Sequence, residues 1–272
     1  MLFIISIFIF FIAMYLLLIM PNLFRHKAMK PFLNRDYAHR GLHDEQRLIP
    51  ENSMAAFREA LRENLAIELD IHLTRDNHVV VFHDESLERI CHVSGTIEEA
   101  SYEDLKSLHL QGTSEKIPLF SEVLSYVNGR VPLLIELKLP TSDTRLCSYT
   151  LKLLRNYNGP YMIQSFNSLG VRWFFKNAPD ILRGQLSSSL TKTNPENPYI
   201  VRFCVQHLLT NFLCQPDFIS YKMADSANLS VWINKYIYHI PVAVWTLRSN
   251  QAYHKAKEKF DMYIFEGFSK KI

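Results

Sequence analysis

Cysteine is scarce in this chain of 272 residues. Its four copies, Cys91, Cys147, Cys204 and Cys214, form no CxxC pair and no metal-ligand spacing, a pattern compatible with a reducing compartment. An excess of charge of one sign is missing too. Thirty Lys and Arg against 27 Asp and Glu leave a net charge of +3, too weak and too dispersed for a nucleic-acid partner. No internal repeat or low-complexity tract appears, so a repeat array is set aside. What is abundant is apolar sequence. A hydrophobic content of 48% supports a sizeable core, and the length suits one large domain, since single α/β barrels commonly run to ~250 residues.

Residues 2–20 carry no charged side chain, and Ser6 is the one clearly polar residue among them. Nineteen helical residues would reach ~28 Å, close to the ~30 Å hydrocarbon core of a bilayer. The reading is one N-terminal transmembrane helix over 1–21, followed by a basic juxtamembrane linker over 22–34. A cleavable signal peptide would want a basic n-region and a small-residue cleavage site, whereas here the first basic residue is Arg25. A buried helix is the other rival. Arg25, Lys27, Lys30 and Arg35 all follow the span, so the positive-inside rule places the remainder in the cytoplasm as a single-pass protein.

From residue 35 to the C-terminus at 272, apolar strand-like runs alternate with helical patterns. Strands are expected at 37–39, 67–71, 133–137, 161–164, 182–186, 218–221, 242–245 and 262–265. The turn at Asp76-Asn77 is too tight for a parallel crossover, so 72–82 reads as a hairpin extending the second strand. Residues 84–117 read as an insertion after it. Helices are expected at 118–127, from 143, and at about 168–177, 199–213, 226–236 and 250–259. Right-handed βα crossovers then favour a closed TIM (β/α)8 barrel.

Four polar strings stand at the ends of these apolar runs: Ala38-His39-Arg40-Gly41, Glu68-Leu69-Asp70, His83-Asp84 and Glu136-Leu137-Lys138. Barrel active sites sit at the C-terminal strand ends, so the four strings converge on one rim. Residues two apart on a strand share a face, and Glu68, Asp70 and Glu136 together make an oxygen-rich site for one divalent cation, calcium or magnesium. The bland alternative pairs Glu68 and Glu136 with Lys138 or Arg75 as structural salt bridges. His39 and His83 are the candidate general acid and base, because an imidazole titrates near neutrality. Arg40 offers a fork of donors to a phosphoryl oxygen, or else pairs with Glu51, and Lys138 offers a compact charge. Asn52 or Ser53 is read as a helix cap, Asn52 the simpler of the two. Glu51 either touches the site or orients His39. Trp245 either walls the pocket or packs in the core, and Glu266 either reaches the rim or lies on the surface. The set suits metal-assisted hydrolysis of a phosphodiester.

The chain resembles the glycerophosphodiester phosphodiesterase family over roughly residues 35–268. Besides those strings, the resemblance rests on Pro50-Glu51-Asn52-Ser53, Ile71-His72-Leu73-Thr74-Arg75-Asp76, Val80-Val81-Phe82 with Leu87 and Arg89, Ile117-Pro118-Leu119, Ser165-Phe166-Asn167 and Val244-Trp245-Thr246. It implies a barrel with a small insertion and a divalent metal held by Glu68, Asp70 and Glu136. It further implies acid–base catalysis by His39 and His83, with Arg40 and Lys138 near the phosphate. The products would be an alcohol and sn-glycerol 3-phosphate, by attack of the substrate's own glycerol hydroxyl on phosphorus and hydrolysis of the cyclic intermediate. One departure is the last strand, where the family often has Ile-Thr-Asp-Tyr/Phe-Pro and this chain has Ile264-Phe265-Glu266-Gly267-Phe268. The alternatives are a lysophospholipase D or phospholipase acting on a lysolipid or membrane lipid with the same residues, and a catalytically silent membrane protein that binds lipid head groups. A barrel glycosidase would also pair carboxylates, but has no need of His39, Arg40 and Lys138 together.

Overall fold

The computed structural model describes residues 1–193 and 198–268. Nine strands form one sheet: β1 (Arg35–Ala38), β2 (Ala66–Leu73), β3 (Val79–Val81), β4 (Leu133–Leu137), β5 (Tyr161–Ser165), β6 (Arg183–Ser187), β7 (Phe218–Lys222), β8 (Val242–Leu247) and β9 (Met262–Phe265). All but β3 run parallel, and β1 pairs with both β9 and β2, so eight strands close into a barrel. β3 is the return arm of the expected hairpin, antiparallel to β2 in the register Ile71↔Val81.

Alternation along each strand sorts its side chains. Ile67, Leu69 and Ile71 of β2, with Leu133, Ile135 and Leu137 of β4, face outward into a cluster shared with the surrounding helices. Tyr37, Ala66, Leu134, Met162, Phe218 and Met262 belong to a second cluster inside the barrel. Gly184 makes room there, since a Cβ at that position would lie 2.3 Å from the Phe218 ring. Residues 84–117 form the expected insertion, with Leu87, Ile90, Ile97, Leu105 and Leu110 packed on Val80 and Phe82. The helix expected over 199–213 is broken into Tyr199–Gln206 and Asn211–Cys214. Positions 194–197, within a stretch that no family motif covers, and 269–272, the end of the expected barrel domain, lie outside the described residues.

The N-terminus departs from expectation. Its helix runs over Leu2–Leu18, which is 17 residues or ~25 Å. No helix among the described residues is long and apolar enough to cross a membrane. The transmembrane span read over 1–21 is corrected accordingly, and the physical reason is that its last turn belongs to the barrel. Ile19 is fully buried, and its carbonyl accepts from Asn211 Nδ2 at 3.0 Å and Asn234 Nδ2 at 3.2 Å. Tyr15 Oη lies 2.8 Å from Ser230 Oγ. Residues 22–34, read as a linker, form the barrel floor instead. Met29 and Phe32 plug the interior from below, and Tyr37 Oη donates to the Phe32 carbonyl at 3.0 Å. Arg25, one of the flank charges, is tied to the carbonyls of Pro179, Asp180 and Ile181.

Candidate active site

The strand ends build the site. β2 and β4 pair in register, Asp70 beside Glu136, so the inward positions of both strands meet just above the apolar interior. Glu68, Asp70 and Glu136 are all buried, and each offers a ligand atom within 4.8 Å of the others. Three carboxylates so close, out of water, repel unless cations intervene. Burial, and then the charges of Asp70 and Glu136, push the Glu68 carboxyl well above its usual range. Asp70 goes the other way. Burial would raise it, but Lys138, His83, Arg40 and a hydrogen bond from Asn52 outweigh burial and hold it well below the usual carboxylate range. Lys138 Nζ sits 2.9 Å from Asp70 Oδ1 and hydrogen-bonds Glu136 Oε1. Its pKa is raised, because those two carboxylates overcome burial. A donor set of oxygens alone, crowded and short of positive charge, fits a hard divalent cation. Of the two partners in the salt-bridge alternative, Lys138 does pair with Glu136, whereas Arg75 lies by Asp104 at 3.8 Å.

Arg40 has left-handed backbone (φ 56°), as does Gly41 (φ 78°), where a Cβ would come within 2.8 Å of Ala56 Cβ. The turn aims the Arg40 amide at Glu68 Oε2 (3.0 Å) while its guanidinium meets Glu51 Oε1 at 2.8 Å. Glu51 therefore does not orient His39. It joins Arg40 to Arg89, whose NH2 lies 2.7 Å from it, and Arg89 in turn bonds Asp84. Asp84 Oδ1 lies 2.5 Å from His83 Nδ1, which fixes that imidazole at the far end of the network.

The residue that orients His39 is Glu266, whose Oε2 hydrogen-bonds Nδ1 and leaves Nε2 as the free ring nitrogen. Burial lowers the His39 pKa against the opposing pull of Glu266. The Glu266 carboxyl is itself held well below its usual range, because His39, His43 and Arg248 overcome the effect of burial. Two more residues escaped the reading of the sequence. Asn52 is not the helix cap; Ser53 is, accepting from the Ala56 amide at 3.1 Å. Asn52 has left-handed backbone, is buried, and donates to Asp70 Oδ2 at 2.9 Å. His72, fully buried, lies between Glu98 of the insertion (2.6 Å) and the His83 carbonyl (3.2 Å). Its place two residues beyond Asp70 on the same inward face was the available signal.

The cleft over these groups measures about 380 Å³, and His39, Arg40, Glu68, His83, Glu136 and Lys138 line one side of it. Trp245 is both wall and packing residue. It lines the cleft, meets the Phe166 ring edge-on with centroids 5.8 Å apart, and packs partly against the interior cluster. The arrangement puts two imidazoles, each oriented by a carboxylate, beside an acidic cation site.

A parallel barrel with this acidic triad and histidine pair at its C-terminal strand ends belongs to the class of barrel proteins whose candidate site lies on that rim. The model of the Glycerophosphoryl diester phosphodiesterase family matches residues 39–262, and the chain belongs to that family. A glycerophosphodiester phosphodiesterase of Caldanaerobacter subterraneus is 30% identical over 161 residues, 55% of this chain and 65% of that protein. The human lysophospholipase D GDPD1 is 30% identical over 164 residues, 56% of this chain and 50% of its own length. The chain thus spans about half to two thirds of these curated relatives. In fold it is similar to an Oleispira antarctica phosphodiesterase solved with the product sn-glycerol-3-phosphate. That likeness has a TM-score of 0.71 at 20% identity, over 86% of this chain and 94% of the other.

Proposed function

We propose that this protein is a metal-dependent phosphodiesterase that splits glycerophosphodiesters into sn-glycerol 3-phosphate and an alcohol. The observation that carries this reading is the meeting of Glu68, Asp70 and Glu136 with His39 and His83 in one cleft. Glu68, Asp70 and Glu136 would hold the cation, which when bound supplies positive charge against the phosphoryl oxygens. Arg40 and Lys138 stand beside the triad to hold the phosphate in place. His39 and His83 divide the proton work. One takes the proton from the substrate's own glycerol hydroxyl as it attacks phosphorus, and the other protonates the departing alkoxide. They exchange roles when water opens the cyclic phosphate. Glu266 and Asp84 hold the rings in position for this exchange.

A lysophospholipase D activity is the second reading, and what supports it is the exposed apolar N-terminal helix, a surface that a lysolipid-bearing membrane would cover. The full chain assayed with glycerophosphocholine, glycerophosphoethanolamine, glycerophosphoglycerol and lysophosphatidylcholine, each with magnesium, calcium or EDTA, tests both. Turnover that needs metal and is abolished by His39→Ala and by Glu68→Ala supports the enzyme and ranks its substrates. A folded protein that binds head groups without turning over any of the four esters overturns it in favour of a lipid-binding role.

A further inference from the structure

The free part of the N-terminal helix is an uncovered apolar surface of the described residues. From Leu2 to Ile12 every large apolar side chain is 41–80% exposed, and the exposure runs round all sides of the helix. A protein partner or a second copy of the chain covers one stripe of a helix. A helix that is apolar all round suits a medium that surrounds it.

Its direction follows from three contacts. Asn22 bonds Asp217 Oδ1 at 2.9 Å, just before β7 begins, so residue 22 lies at the floor. The Ile19 carbonyl meets Asn234, in the last turn of the helix Leu229–Tyr236. Tyr15 reaches Ser230 in the first turn of that helix, which follows β7 and therefore starts at the rim. Read backwards from residue 22 to residue 15, the chain climbs from floor to rim. Residues 2–14 continue upward for about 20 Å. Exposed side chains toward the rim include Leu229 and Trp232 of that first turn, and Tyr199 and Ile200 are exposed on the helix Tyr199–Gln206. The last residue of that helix is tied to β7, the Gln206 carbonyl accepting from Tyr221 Oη at 2.9 Å. Aromatic residues with an apolar body and a polar edge favour the membrane–water interface.

We propose that the occupant of this surface is a lipid bilayer, entered by residues 2–14 without crossing it, and that the barrel sits rim-down. The catalytic cleft then opens toward the lipid surface, and its substrates are phosphodiesters presented by the bilayer. What the cleft does there rests on the phosphodiesterase reading, whereas the orientation rests on the helix alone.

Full-length protein mixed with phosphatidylcholine vesicles carrying brominated acyl chains tests this, with tryptophan emission and co-sedimentation as readouts. The unsubstituted protein should co-sediment, and its emission should be quenched. Trp232→Phe should remove much of that quenching. Phe24→Trp, beside the floor contact and 94% exposed, should add emission that the bromines leave untouched. Phe8→Asp combined with Phe10→Asp should weaken partitioning at least about tenfold. Quenching of the added fluorophore at position 24 but not of Trp232 would overturn the orientation. Absence of co-sedimentation would overturn the bilayer as occupant, and self-association lost in the Phe8→Asp, Phe10→Asp protein would assign the helix to a second copy. The quenching pattern persisting in a protein that hydrolyses no phosphodiester would sink the enzyme reading and leave the orientation standing.

Discussion

At the lower level of the barrel interior, β1, β2 and β4 contribute Tyr37, Ala66 and Leu134; two residues further along the same strands stand His39, Glu68 and Glu136. One pleat repeat separates a layer that packs from a layer that does chemistry. Both layers are nearly dry, but they act on stability in opposite directions. The lower one removes apolar surface from water, and Met29 and Phe32 complete it from beneath. The upper one buries like charges and relies on Lys138, Arg40 and hydrogen bonds to tolerate them. The contrast teaches that folding is driven at the floor and that the rim is supported by it.

That contrast can be broken from either side. The largest effect should come from Glu68→Gln, with turnover down roughly 10²–10³-fold or more. In EDTA the same substitution should leave the fold unharmed or raise its stability by about 1 kcal/mol, since a crowded buried carboxylate is gone. Phe32→Ala should do the reverse, costing about 3–5 kcal/mol in urea unfolding while kcat per folded molecule is kept. Loss of activity in step with folded Phe32→Ala protein would show that floor and rim are not separable. Asn52→Ala, which removes the donor to Asp70, should weaken calcium or magnesium binding about 10–100-fold by calorimetry.

The smallest effect is a shift along the pH axis. Glu266 favours the protonated form of His39, so Glu266→Gln should move the limb of the pH–rate profile due to His39 to lower pH. Movement to higher pH would remove Glu266 from its role as the positioning residue. The carboxyl itself, held below its ordinary 4.5 in the fold, contributes stability above that value and loses it as pH falls toward the folded value. Acid unfolding of the Gln variant should therefore lack this part of the slope.

Much of this was legible along the chain because period-two alternation and strand-end position are local signals. They located the eight barrel strands, the insertion and the triad. What escaped them depends on backbone handedness or on contacts distant in sequence. Nothing local marks Arg40 and Asn52 as left-handed, yet those turns decide that Asn52 serves Asp70 rather than the helix. Glu266 reaches His39 across 227 positions. The floor segment read as a linker because its short apolar stretches, Ala28-Met29 and Phe32-Leu33, are broken up by Arg25, Lys27, Lys30 and Pro31, and the open bottom of the barrel gives them a place.

The clasp on the N-terminal helix also has a timing. Tyr15 waits for Ser230, 215 residues later in synthesis, and the Ile19 carbonyl waits as long for Asn234. At ordinary translation rates of about 5–20 residues per second, the whole helix stays bare for about 10–40 s before the barrel can hold its last turn. During that interval it offers every apolar side chain to chaperone, aggregate or lipid, so what captures the nascent helix first decides the fate of the chain.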